Sequence, residues 1–340
     1  VLDSNASEYW AGLSKKGSGN LTITDETNDK GETITAKKEA DTSGRLRAEG
    51  GHYGGAAIGG SYGQDTDNIT IEGYATVKAN TLDSDAAGIG GGAGAKGSNI
   101  TIQGHANVTA DGGLSGAGIG GGSRDGHRGG DAENITIQDY AKVTATGRNG
   151  AAIGSGSSWG DGKNGDARKI VIRGHATVNA KNEGSGAAIG AAGYGSDASA
   201  EVIIGTEGAT TAKENVRITA IGNGGSAIGN GRITTNVTIQ GHATIETASS
   251  DNYAAIGSSR GNVEVTIKDN VAIDNEDTVT NTTPYHVSSG IGGGDIASNS
   301  GRTVKVNIDG GKNGNVRLGE KSAITGWYGE ISATKVKIGD

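Results

Sequence analysis

Apolar and polar residues alternate along much of the chain. In Asn68-Ile69-Thr70-Ile71-Glu72-Gly73-Tyr74-Ala75-Thr76-Val77-Lys78-Ala79, one side carries Ile69, Ile71, Ala75, Val77 and Ala79, and the other Thr70, Glu72, Thr76 and Lys78. A period of two marks a half-buried strand, and Gly73 marks a bend between two of them. The phrase returns at residues 99–110, 134–145, 169–180 and 236–247, degraded at 265–273, and split once by an insertion at about 206–214. The bend residue is Gly104, Gly174 and Gly241 in three copies, and Asp139 and Asp269 in two others.

A second phrase recurs eight times, first as Ala56-Ala57-Ile58-Gly59. It places Ile58, Ile89, Ile119, Ile153, Ile189, Ile228, Ile256 and Ile291 at steps of 28 to 39 residues, about 33 on average. It supplies a third, short strand. Each repeat then reads strand, Gly-rich loop, strand, bend, strand. One such unit cannot bury its apolar side, but stacked copies can, with every backbone group paired above and below. The pattern predicts an all-β chain folded as a single-stranded parallel β-helix, a right-handed β-solenoid of nine or ten coils. The eight Ile, with the columns led by Ile69, Ile71 and Val77, are its expected core. Residues 1–50 are expected as an N-terminal cap with irregular first coils, including a short helix at Ser7 to Lys15. Residues 51–303 are the repeat solenoid. Residues 304–340 are C-terminal coils expected to continue in the full-length protein.

Composition sharpens this picture. Of 340 residues 65 are Gly, one is Pro (Pro284), and Cys, Met and Phe are absent, so a thick spherical core is excluded. Collagen would need Gly at every third position with abundant Pro. Without Cys there is no disulfide, thiolate zinc site or thiol catalysis. A net charge of −8, from 30 basic and 38 acidic residues, argues against nucleic acid as a partner. No apolar run approaches the ~18–20 residues of a membrane helix.

Candidate chemistry is sparse. The Gly-rich phrase is followed by no amphipathic helix, as a phosphate loop would require. Asp65 with Asp67, Asp125 with Asp131, and Asp161 with Asp166 are acidic pairs in the variable loops, read as solvated carboxylates or as ligands for a calcium ion. Glycan hydrolysis or elimination needs converging carboxylates. Asp139 and Asp269 share the bend column but lie several coils apart, so no enzyme is expected. The Asn-x-Thr triplets at Asn68, Asn99, Asn134 and Asn236 read as by-products of the repeat. The residue after the bend is more telling: Tyr74, His105, Tyr140, His175, Asn215, His242, Asn270 in successive coils. Alternation points these outward, about 4.8 Å apart. They form either a ring platform for sugar faces, flanked by Lys142 and Arg173 for ligand carboxylates, or a ladder that only stiffens the bend.

Gly116-Ala117-Gly118-Ile119-Gly120-Gly121-Gly122, followed by Asn134-Ile135-Thr136-Ile137, resembles the Gly-rich β-solenoid repeats of large, adhesin-like surface proteins of anaerobic, gut-associated, often Gram-positive bacteria. The resemblance covers residues 50–310 and offers no catalytic residues. It implies a secreted or cell-surface, non-catalytic adhesin, stalk or binding module, monomeric in isolation, with a host or plant glycan or a surface protein as partner. Two alternatives are a module for an acidic polysaccharide such as pectin, bridged by calcium, and a polysaccharide lyase or hydrolase.

Overall fold

The computed structural model describes residues 2–3, 9–25, 44–81, 84–124, 126–158, 162–193, 197–209, 214–249, 253–258, 260–277, 290–293, 302–310, 315–319, 324–325, 329–334 and 336–338. Among them there is no helix. Their 31 strands form three parallel sheets of 11, 10 and 10 strands. Leu2–Asp3 starts the largest sheet, and the other strands fall into ten turns, each adding a short Ile-Gly strand, a strand before the bend and a strand after it. The chain is a parallel β-helix solenoid.

Register pairs like with like. The column Ile58, Ile89, Ile119, Ile153, Ile189, Ile228, Ile256, Ile291 is continuous, and Leu13 and Ile324 extend it at its two ends. All eight Ile are fully buried, and so are Ile69, Ile71 and Val77 with their counterparts Ile100, Ile102 and Val108. Small Ala and β-branched Ile and Val fill this narrow interior, where repeated side chains meet at the inter-strand spacing.

The expected helix at Ser7 to Lys15 is corrected over the described part, residues 9–15. Leu13–Ser14 is a strand there, paired with Ile58–Gly59. Stacking on the next turn outweighs local helix preference. Leu13–Ser14, Leu21–Asp25 and Arg45–Glu49 make up the first full turn, and strands at 304–309, 316–318, 324–325, 329–334 and 336–338 carry the three sheets onward.

Two columns explain the repeat's fixed residues. The Gly that follows each buried Ile, from Gly59 to Gly292, has φ between 115° and 143°. A Cβ on Gly59, Gly90 or Gly120 would sit closer than 3.0 Å to the carbonyl oxygen of the equivalent Gly in the next turn. At Asn68, Asn99, Asn134 and Lys169 the backbone is left-handed, with φ of 51° to 59°. Pairing jumps from Glu133↔Arg168 to Ile135↔Ile170, so Asn134 and Lys169 are bulged out of the ladder. Asn tolerates this conformation better than most residues, which accounts for Asn68, Asn99 and Asn134; Asn236, paired with Glu201 and Glu264 in the ladder, does not share it.

Candidate functional site

The bend sets the geometry of the exposed strip. Gly73, Gly104, Gly174, Gly205 and Gly241 have φ of 64° to 86°, and Asp139 and Asp269 adopt the same conformation at 59° and 72°. Both Asp add a cap. The Asp139 carboxylate accepts the Gly104 N–H at 3.1 Å, and that of Asp269 accepts the Gly241 N–H at 3.0 Å. These are the two carboxylates that share the bend column, and each holds the neighbouring turn in place.

Immediately after the bend, Tyr74, His105, Tyr140 and His175 stack. Ring centroids are 4.8, 4.9 and 4.7 Å apart in order, with interplanar angles of 2°, 7° and 6°. His105 and Tyr140 each have a ring on both faces, so this strip turns ring edges outward and leaves no gap for a sugar between rings. His242 occupies the same column two turns beyond His175, with Asn215 between them, and stands apart from the stack. Its Nδ1 is buried without a hydrogen-bond partner.

On the other side of the bend runs a polar ladder. The Arg173 guanidinium donates to Gln138 Oε1 at 2.9 and 2.6 Å, Gln138 to Gln103 at 2.8 Å, and Gln103 to Glu72 at 2.7 Å. Arg173 is thus engaged through Nε and Nη2. Lys142 is exposed two residues beyond Tyr140, on the same outward side. Between ladder and stack lies a shallow groove of about 270 Å³, lined by Glu72, Tyr74, Gln103, His105 and Asp139 with the bend glycines.

The acidic pairs in the loops stitch turns together. Asp65 accepts the Lys96 N–H, Asp131 the Asp166 N–H, and Asp166 the Ser199 N–H, each at 2.8 Å. Asp67 accepts Asn99 Nδ2 at 2.6 Å. Asp131 and Asp166 are also shared between two arginines, with Arg128 at 2.8 and 3.0 Å and Arg168 at 3.0 Å from Asp131. Burial opposes the Arg168 charge, but Asp131, Asp166 and Glu133 outweigh it and raise its pKa above the usual guanidinium value. Asp125 and Asp161 lie outside the described residues. Among the described residues no three His, Asp or Glu side chains are grouped as a metal site would need.

One cluster escapes a reading of the sequence. Tyr9 stacks on Tyr53 at 5.6 Å and meets Tyr62 edge-on at 5.5 Å, while Arg124 lies 5.1 Å over the Tyr62 ring. Beside it a cavity of about 350 Å³ is lined by His52, Tyr53, Tyr62, Arg124 and His127 among others. A usable signal exists: no aromatic side chain appears in the described core, so each ring is a surface feature by default.

A family model described as a beta helix repeat matches residues 69–93, 100–123 and 135–157. Each matched stretch starts in the strand before the bend and ends in the Gly-rich loop after the next Ile-Gly strand. No curated protein and no solved structure matches the chain.

Proposed function

We propose that this β-helix repeat protein is a non-catalytic binding and stalk module of the adhesin kind, secreted or presented at a cell surface. The observation that carries the reading is how the outward side chains are used. Rings stack on rings, amides bond to amides, and the carboxylates of the bends and loops accept N–H groups of neighbouring turns. Such a surface favours rigidity over proton transfer, because an acid–base pair needs groups free to exchange protons with a substrate. Ring edges, Lys142 and the groove beside Gln103 form a continuous strip for a host or plant glycan or a surface protein. A module for an acidic polysaccharide such as pectin is the second reading. It is favoured by Lys142 and Arg173, which stand at the strip's edge where ligand carboxylates would meet them.

A glycan array probed with and without EDTA tests both readings. Binding that survives EDTA and falls on changing Lys142 and Tyr140 supports the strip. Binding to uronans that needs calcium supports the second reading, and release of reducing ends from pectin or uronans would overturn the non-catalytic assignment.

A further inference from the structure

Far from the ring strip, three arginines gather on one corner of the solenoid. Arg232, Arg260 and Arg302 each lie two residues before the strand that precedes the bend, in three consecutive turns. Carried back from Thr234↔Asn262, the register sets Arg232 level with Arg260; carried back from Val263↔Val304, it sets Arg302 in the next turn one residue out of step, level with Gly261. Successive turns are about 4.8 Å apart. The corner is built, not loose. Ser258 Oγ donates to Gly231 O at 2.7 Å and accepts the Arg260 N–H at 3.2 Å, while Arg232 Nη2 donates to Gly193 O at 2.6 Å.

The described part of this corner holds no counter-charge bonded to the arginines. Among the described residues no carboxylate is bonded to any of the three guanidinium groups, and Arg302 Nη1 is buried without a hydrogen-bond partner. Burial and the neighbouring Arg260 both hold Arg232 and Arg302 below the usual guanidinium pKa. Three like charges one turn apart repel, and an anion between them would replace that repulsion with charge-assisted hydrogen bonds. Next to them, on the same three turns, is a groove of about 180 Å³ lined by Thr234, Asn236, Asn262, Glu264, Thr303 and Lys305, so that it carries one carboxylate and one ammonium beside its hydroxyls and amides. Hydroxyl and amide groups of this kind suit a polyhydroxylated ligand.

We propose that Arg232, Arg260 and Arg302 form an oxyanion-binding site, and that the ligand is an acidic saccharide whose hydroxyls lie along the adjoining groove. The saccharide half rests on the glycan-binding reading above; the oxyanion half does not.

The test uses the whole chain and two probes. The first is sodium sulfate, titrated against sodium chloride at equal ionic strength, with binding read by calorimetry and by melting temperature. Sulfate also raises melting temperatures through exclusion from protein surfaces, so the difference between variants is what is read. Arg260→Gln is expected to weaken sulfate binding at least tenfold, Arg302→Gln likewise, and Arg217→Gln, on an exposed strand position elsewhere, not at all. Without added anion at low salt, Arg260→Gln is expected to melt no lower than the parent, because it removes a like-charge neighbour; a purely structural arginine would lower it. Equal sulfate affinity in parent, Arg260→Gln and Arg302→Gln overturns the site. The second probe is a galacturonate oligomer and a sulfated galactose oligomer against a neutral galactose oligomer. Arg260-dependent binding of either acidic probe supports the saccharide. Sulfate binding with neither acidic oligomer bound overturns that half alone, and a blank glycan array beside intact sulfate binding would overturn the glycan reading while leaving the oxyanion site standing.

Discussion

Tyr140 is the residue at which a stiffening ladder and a binding platform differ most. Its ring touches His105 at 4.9 Å and His175 at 4.7 Å, both nearly parallel, while 52 % of the residue is exposed. An offset-stacked aromatic pair contributes about 0.5–1.5 kcal/mol beyond its buried area. Tyr140→Ala removes two such pairs, so the expected loss is about 1–3 kcal/mol, with about 1 kcal/mol more for the half of the side chain that is covered. Coupling in a solenoid is between nearest neighbours, so the loss should concentrate in the adjoining turns. Amide exchange in the strands at 107–111 and 177–182 should accelerate by roughly 30- to 900-fold, with a lowered melting temperature. Tyr140→Phe keeps both ring contacts and should exchange like the parent. If Tyr140→Ala melts and exchanges like the parent, the ladder contributes nothing to the fold. If Tyr140→Phe alone weakens glycan binding, the phenol edge is a ligand contact.

Three further outcomes follow from the same geometry. Ile119→Ala should cost about 2–5 kcal/mol by opening a cavity in a column with no spare neighbour, and Ile119→Asp more, since it buries an unpaired carboxylate; denaturant melts measure both, and exchange changes should centre on the turns of Ile89 and Ile153. Gly120→Ala sets a Cβ against the Gly154 carbonyl at a φ of 135°, so it should lower stability by more than 1–3 kcal/mol, and a melt within 1 °C of the parent would contradict the close-approach argument. Asp139→Ala loses both a tolerant left-handed residue and the cap on Gly104, an expected cost of about 1–3 kcal/mol, whereas Asp139→Gly loses only the cap; thermal melts should therefore rank parent, Gly, Ala.

The columns were legible because repetition alone determines them. Ile58 to Ile291, the bend glycines and the outward ring series can be aligned by eye, and parallel register then pairs each with its own kind. Leu13 was not legible, since its Leu-Ser matches no copy of the Ala-Ile-Gly phrase, and only the stack assigns it to the Ile column. The roles of Asp65, Asp131 and Asp166 were hidden for a related reason: each carboxylate serves an N–H 31 to 35 residues away, at the start of a turn whose loop length varies. The meeting of Tyr9, Tyr53 and Tyr62 depends on those same unequal loops, which no period describes.

Stacking also decides which surface chemistry is left over. A solenoid sets the same position of successive turns about 4.8 Å apart, so each outward group meets whatever the next copy holds there. Rings satisfy rings, as at Tyr140 and His175, and amides satisfy amides, as at Gln138 and Gln103. Asn134 and Asn99 do the same at 3.0 Å. Arg128 and Arg168 reach Asp131 and Asp166, and their charges are balanced within the protein. Like charges have no such solution, because repetition brings repulsion instead of a bond. Arg232 and Arg260 are in that position and Arg302 stands one residue out of step in the next turn; burial first and Arg260 second lower the pKa of Arg232 and Arg302, and Arg302 Nη1 is left without an acceptor. An external anion can therefore supply at this corner the acceptors that repetition does not, whereas a ligand on the ring strip would meet ring edges, Lys142 and the groove beside Gln103.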